Sequence, residues 1–591
     1  MEDRIRCARV SDASARPEAD GEGAAPAPRS AVSPGPGGPA QPVVSSRASG
    51  SGALLVSLGI LASRFAGLLR EAVFARYFGN TDVSAAFKAA LRIPNFLQNL
   101  LGEGVLSASF IPVYSQLLGA KQKDDAERVA GAVFSLLTLF TGFLVAVGIL
   151  ATPWLVDVVA PGFEGETRAL ATSLVRILFP MTGMLVGSAW CLGVLNSHRR
   201  FFLSYAAPVI WNGAMIATML VFGRGANAAT LARSVAIAAV AGAGLQFLVQ
   251  LPTSIALLGR FRPNLRPSAH LSRVLRSFGP VVVARGVVQV SAYVDLIIGS
   301  WISAVAFSTL DYAQRVYLIP ISIFGMSISA AELPEMSRAT GEEDDVAARL
   351  RERLRAGLRR VAFFVIPSAV AFVTLGDVIA AALLQRGHFS GFDSRLVWYV
   401  LIGSAVGLLA TTQSRLLSST FYALKDTITP LKVSVLRVTL TAAGAYVAGL
   451  HLPRWLGLPP DLGAVGLVGA TGVAAWLEFV LLRRQLIRRI GNVPLDVRRI
   501  AMLWGAGFAA ALLGVAIKVA LAHVFGANES ALQAWGGHFL PLPKGLRPEL
   551  IGAFVLVPYG LAYLAITYGF RVPEAQAVLG RVLRRLRRRA R

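Results

Sequence analysis

VAGAVFSLLTLFTGFLVAVGIL, residues 129–150, contains no charged side chain. At about 1.5 Å per residue this stretch makes a helix of roughly 33 Å, enough to cross a hydrocarbon core of about 30 Å. Similar stretches recur on both sides of it. Candidate spans fall at 53–79, 84–118, 129–150, 168–195, 204–222, 233–258, 277–302, 305–335, 357–375, 395–422, 430–450, 462–482, 500–522 and 549–570. The spans 84–118 and 305–335 are too long for a straight crossing and read as bent or tilted. Fourteen such segments argue against a soluble helical core and predict an all-α integral membrane protein with 14 transmembrane helices. Composition agrees: 54% of the 591 residues are hydrophobic and 15% charged, against about a quarter charged in soluble domains.

The formal charge of +25 would suggest nucleic-acid binding in a soluble chain. Its distribution indicates otherwise. Lys and Arg gather on alternate connections: the N-terminal tail, 121–128, 199–200, 260–276, 338–360, 425–432, 483–499 and the terminal RVLRRLRRRAR. Basic residues mark cytoplasmic loops, so both termini are expected in the cytoplasm, with the basic C-terminal tail against anionic headgroups. The topology accounts for the basic excess without nucleic acid.

Residues 1–50, rich in Pro, Gly, Ala and Ser, cannot bury enough apolar surface to offset the entropy of ordering and are expected to form a disordered tail. An internal repeat follows at an offset of 222 residues. SFIPVYSQLLGAKQKDDAERV resembles AELPEMSRATGEEDDVAARL, pairing Pro112 with Pro334 and Ser115 with Ser337, and Pro208 pairs with Pro430. APGFEG near 160–165 resembles QRGHFSG near 385–391. The division expected is an N-lobe at 51–260 (helices 1–6), a C-lobe at 261–490 (helices 7–12), an added pair at 491–575 (helices 13 and 14), and a basic tail at 576–591. Two six-helix lobes in parallel repeat are a transporter arrangement, with the substrate path between them.

Charges inside the spans are the most informative residues, because each costs about 2.5–3.5 kcal/mol at the bilayer centre on insertion scales. The bases read there are Arg64, Arg70, Arg92, Arg176, Arg285, Arg315, Arg415, Arg437 and Lys518. The first helix also carries Ser63 and Glu71, the second Glu103, the seventh Asp295 and the eighth Asp311. Arg64 and Glu71 share a helix face, while Arg70 points about 120° away from Arg64. A mainly cationic set, split between the first helix of each half and its neighbour, points to an anion-binding cavity. The planar fork of arginine suits phosphate. Arg92, Pro94, Asn95 and Glu103 in LRIPNFLQNLLGEG form a kinked, gating segment. Arg176, Arg415 and Arg437 read as structural partners. Lys518 reads as snorkelling to the outer interface, and Glu478, shortly before the Arg483–Arg484 cluster, as a salt bridge at the cytoplasmic end. Catalytic signals are missing: there is no GxSxG, P-loop or HExxH. Cys7 and Cys191 are too far apart in sequence to suggest a disulfide framework, and the six histidines show no metal spacing. No metal, no cofactor and no enzymatic activity are expected.

SRFAGLLREAVFARYFG (63–79), LRIPNFLQNLLGEGVLSASFIPVYSQ (91–116), LFPMTGMLVGSAWCLGVLNSHRRFFLSYAAPVIWN (178–212), DYAQRVYLIP, LLQRGHFSGFDS and FYALKDTITPLKVS resemble the MviN/MurJ group of lipid II flippases. That group belongs to the multidrug/oligosaccharidyl-lipid/polysaccharide exporter superfamily. The resemblance covers roughly residues 53–490. It implies a bacterial inner-membrane protein of peptidoglycan biosynthesis and cell-shape maintenance, with lipid II (undecaprenyl-diphosphate-linked disaccharide pentapeptide) as substrate and membrane lipids and cell-wall synthesis proteins as partners. It also implies that Arg64, Arg70 and Arg315 engage the diphosphate, that Ser63 and Glu71 lie in the cavity, and that Glu103 is the acidic residue of the second-helix motif. Gln98 stands where the family usually has an arginine and Ala85 where it has an acid, so Arg92 or Arg285 is the candidate replacement charge. The expected mechanism is alternating access, with sodium or membrane-potential coupling for which Asp295 is the candidate ligand. The alternatives are an exporter of another polyprenyl-linked glycan or of drugs, and a membrane glycosyltransferase.

Overall fold

The computed structural model describes residues 50–329, 332, 336, 343–424, 426–526, 542–543 and 545–580. The expected disordered tail, Pro334, Ser337 and the last eleven residues lie outside these. Among the described residues the fold is helical throughout, with no strand.

The first half opens with α1 (Gly50–Phe78) and α2 (Asp82–Leu101). Thr81 caps α2 by accepting the Ser84 N–H, a bond that satisfies one of the unpaired first-turn donors. α2 stops at Gly102, where a Cβ would run into the Gln98 carbonyl, and α3 (Glu103–Gly119) starts at once. The expected 84–118 span is thus two helices broken at LLGEG, as its glycines suggest. α4 (Lys123–Leu150) follows, with Asp124 and Asp125 in its first turn complementing the helix dipole. Next come the short α5 (Thr152–Val159), α6 (Gly165–Ser197), α7 (Phe201–Ala206), α8 (Pro208–Phe222) and α9 (Ala228–Leu258).

The second half repeats this order. α10 (Ala269–Ile302) and α11 (Ala304–Pro320) are capped by Ser268 and Ser303, and α11 runs into a π-helical turn, Ile321–Met326. After α12 (Glu343–Thr374) come the short α13 (Gly376–Leu384), α14 (Gly391–Ala423), α15 (Ile428–Tyr446) and α16 (Gly463–Ile490). The second helices of the two halves start at Asp82 and Ala304, 304 − 82 = 222 residues apart. The short helices α5 and α13 occupy equivalent places. α6 and α14 are the central helices of their halves, each with 72% of its apolar window buried. α17 (Val497–Phe525) and α18 (Pro548–Gly569) lie outside the repeat and pack on each other, α17 also against α12 and α18 against α13.

Among the described residues, ten helices are long and apolar enough to cross a membrane. Their outward faces carry large exposed apolar side chains such as Phe143, Leu150, Val221, Leu512 and Leu561, as lipid contact requires. The chain is a multi-pass membrane protein. The other expected spans coincide with α1, α2–α3, α10 and α11. Of these, α2 is interrupted by Lys88 and Arg92, and α11 is short and carries Asp311 and Arg315.

One end of the interface between the halves is closed by small neutral contacts. Asn80 donates to Thr309 Oγ1 (2.8 Å) and Tyr312 Oη to the Gly79 carbonyl (2.9 Å), while Ser84 Oγ lies 3.1 Å from Ser308 Oγ. The loop after α13 completes this seam: the His388 N–H donates to the Arg76 carbonyl at 2.9 Å. Gly387, at φ +57°, makes the approach possible, since a Cβ there would strike that same carbonyl.

Candidate functional site

Below the seam, α1, α2 and α11 bring six charged side chains together. Asp311 is completely buried and is the hub. Arg92 donates to its Oδ1 through Nη2 (2.6 Å) and Nε (3.2 Å), and to Gln314 Oε1 at 2.9 Å. Arg315, one turn further along α11, donates Nε to Asp311 Oδ2 at 3.0 Å. Lys88 Nζ lies 3.5 Å from the same oxygen, donates to the Ser308 carbonyl (3.2 Å) and sits 2.7 Å from the Tyr312 ring centroid. The second acid, Glu71, accepts Arg70 at 2.7 Å and lies 3.2 Å from Arg315 Nη1. Arg70 also faces the Trp211 ring at 5.2 Å. Buried charges persist only when paired and hydrogen-bonded, and here each acid joins the two halves of the chain.

The balance is uneven. Four bases (Arg70, Lys88, Arg92, Arg315) face two acids (Glu71, Asp311), leaving 4 − 2 = +2 on the cluster. Most of the set is sealed; the pocket bordered by Arg70, Glu71, Lys88 and Arg315 encloses only about 10 Å³, close to the room one water needs. Arg315, with 34% of its side chain exposed, is the member that reaches open space. The arrangement carries a positive excess that an anion would neutralise; among the described residues it holds no nucleophile aligned with a base.

Several expected site residues thus converge: Arg70, Glu71, Arg92 and Arg315. Arg64 does not join them. It stands six residues before Arg70, about 9 Å along the axis, exposed and without an ion pair among the described residues. Ser63 is beside it, half-buried. The Arg285 side chain is outside the described residues. Pro94 is built into α2, its carbonyl accepting Thr182 Oγ1 at 3.4 Å, and neighbouring Asn95 is half-buried. Glu103 begins α3 at the break. Lys88 is absent from the bases read in the spans; in AAFKAAL it sits between small residues near a helix start, where the apolar signal is weak. Its depth was the missing clue. Ala85 is fully buried.

One other expectation is corrected. Lys518 does not snorkel: it is 4% exposed and pairs with the buried Asp377 of α13. Membrane depth reversed that reading, because a lysine with a buried carboxylate in reach has no need of the interface. Glu478 does form a salt bridge, with Arg437 of α15 at 3.0 Å, and its other oxygen accepts Ser434 Oγ at 3.1 Å.

Asp295 lies apart from the cluster, in a cavity of about 70 Å³ shared with Gln314, Tyr317, Ser404, Thr411 and Thr471. Thr471 Oγ1 donates to its Oδ1 at 3.0 Å. One carboxylate among neutral oxygens is a donor set compatible with a hard monovalent cation. No group of three or more His, Cys, Asp or Glu gathers anywhere among the described residues.

The family described as lipid II flippase MurJ matches residues 74–544. The chain belongs to this family. The match starts three residues after Glu71, so Arg64, Arg70 and Glu71 precede it. The lipid II flippase MurJ of Burkholderia cenocepacia is 31% identical over 445 residues, 74% of this chain and 83% of that protein. A probable lipid II flippase MurJ of Rhizobium tropici is 30% identical, covering 75% of this chain and 82% of its own. Among solved structures, a lipid II flippase MurJ in an inward closed conformation superposes with a TM-score of 0.68 at 22% identity, covering 88% of this chain and 98% of the other. An inward-facing multidrug transporter of the MATE family gives 0.60 at 17% identity, covering 74% and 98%. MurJ and MATE proteins therefore share this fold.

Proposed function

We propose that this protein flips lipid II, the lipid-linked peptidoglycan precursor, from the cytoplasmic to the periplasmic leaflet of the inner membrane by alternating access. Its 14 helices form two six-helix lobes plus the α17–α18 pair, with both termini in the cytoplasm. The observation that carries the reading is the +2 charge of the cluster. A diphosphate diester bears one ionised oxygen on each phosphorus, so it neutralises that excess. Glu71 and Asp311 hold the guanidinium groups in place until the substrate arrives. Arg315 offers the first contact, Arg70 the second, and the exposed Arg64 meets the headgroup on its way in. Lys88 and Arg92 set the local charge and keep Asp311 ionised. The break at Gly102 and the Pro94 segment give α2–α3 the freedom to move as the lobes rock, and the lipid tail runs beside α17 and α18.

In cells relying on this protein, Arg70→Ala and Arg315→Ala variants are expected to insert normally and leave lipid II on the cytoplasmic side. Each lost charge-assisted bond should weaken substrate binding by roughly 10–100-fold. Accessibility of lipid II to an externally added cleaving enzyme reads the outcome, and full accessibility with both variants rules the docking scheme out. Asp295, with Thr471, is the proposed site of sodium or membrane-potential coupling. Sodium is expected to raise the unfolding temperature of the wild type more than potassium does, and Asp295→Ala should abolish that difference.

A further inference from the structure

A second cationic recess lies away from the cluster, where α12, α14 and α17 meet on the arginine-rich side of the membrane. It is bordered by Arg355 and Arg359 of α12, Gln413 of α14, and Asp496 and Arg499 at the start of α17. Arg355 and Arg359 are four residues apart and share a face. Arg499 sits in the first turn of its helix, with Nε 3.5 Å from Asp496 Oδ2. The balance is three bases to one acid, again an excess of +2.

Two of these guanidinium groups are incomplete. Arg359 Nε and Arg499 Nη1 are both buried and have no hydrogen-bond partner among the described residues. Buried N–H donors in native structures nearly always have one, and an arginine has no form in which it loses the charge. Asp496 cannot serve them all: its Oδ1 is occupied in capping α17 through the Arg499 N–H. The recess encloses about 20 Å³, room for one or two oxygen-sized groups at about 10–15 Å³ each. An acyl chain would not fit inside it, but a phosphate oxygen would. The rest of the recess lining is largely apolar, with Leu358, Ala362 and Leu503 buried and Ile500 half-buried.

We propose that this recess binds the phosphate of an anionic bilayer lipid, with one phosphate oxygen between Arg359 and Arg499, a second facing Arg355, and the first acyl carbons outside the recess beside the half-buried Ile500. The apolar wall selects a lipid over a free anion, and a basic pocket between helices on the cytoplasmic face is a recognised setting for such headgroups. The bound lipid bridges α12 and α17, fastening the added helix pair to the repeat at the end opposite to Lys518.

The test uses the full chain in nanodiscs of phosphatidylcholine with or without phosphatidylglycerol, and native mass spectrometry to count retained lipids. The wild type is expected to keep phosphatidylglycerol in preference to phosphatidylcholine. The Arg359→Gln/Arg499→Gln protein should retain it roughly tenfold less, the order expected when two basic contacts at an anionic surface are removed. Arg355→Gln, an exposed change that leaves the packing alone, should show a smaller loss in the same direction. Arg488→Gln, an exposed cationic position elsewhere on the same side, should behave as wild type. Equal retention by wild type, the double variant and Arg355→Gln overturns the proposal. So does stabilisation of the wild type by millimolar inorganic phosphate matching that from phosphatidylglycerol, which would make this a soluble-anion site.

Discussion

The short helices α5 and α13 occupy the same place in the two halves, and each carries an aspartate, Asp157 and Asp377, 377 − 157 = 220 residues apart. Their surroundings differ completely. Asp157 is held by Arg168 through two hydrogen bonds of 2.6 and 2.8 Å, in a pair open to solvent on both sides. Asp377 is 3% exposed and paired with Lys518, whose ammonium also lies 6.0 Å from the Trp398 ring. The difference comes from α17 and α18, which exist only beside the second half. By covering α13 they turned a surface acid into a buried anchor. A third contact lies between the extremes: Arg386, just after α13, donates to Glu549 of α18 at 2.6 Å, with both groups partly exposed.

Burial therefore ranks these three ion pairs, and substitution tests the ranking. Lys518→Ala strands a buried carboxylate and should cost about 3–5 kcal/mol, seen as a large drop in unfolding temperature in detergent or nanodiscs. A Lys518→Met/Asp377→Leu protein should recover most of that loss, since apolar replacement of a buried pair is often neutral; failure to recover would mean that the charges themselves specify the docking of α17. Glu549→Gln should cost no more than about 1 kcal/mol and lose even that in high salt. Arg168→Ala should leave the unfolding temperature unchanged within error. The Arg168 bonds hold the Asp157 carboxyl below its ordinary value, so whatever the pair contributes is present above the ordinary aspartate range near pH 4. It disappears as pH falls through the lowered value. A titration of Asp157 by NMR that moves upward in Arg168→Ala sharpens the contrast; no movement breaks it.

What could be read from sequence follows a physical divide. Helices announce themselves through apolar length, which is local, so the ten long apolar helices and a bend near LLGEG were visible in advance. The intramembrane charges were visible too, because a base in a hydrocarbon-length segment stands out. Arg70, Glu71, Arg92 and Arg315 were found in that way, and the cluster unites them. Pairing is another matter. Arg92 meets Asp311 across 219 positions, and Lys518 meets Asp377 across 141; no periodicity encodes such contacts. Lys88 escaped notice because small alanines around it mute the apolar contrast, and Lys518 was misplaced because its distance from the helix end said nothing of the acid waiting on α13.

The seam between Gly79–Ser84 and Thr309–Tyr312 is built from hydroxyls, amides and carbonyls, with no ion pair between its own members. Each such bond is worth only about 0.5–1.5 kcal/mol net, because water offers an equivalent partner once the bond parts. The contacts between the halves thus divide into a buried ion-pair cluster and, beside it, weak bonds for which water can substitute. Taken by itself, the neutral seam would part at little cost in free energy and respond little to salt.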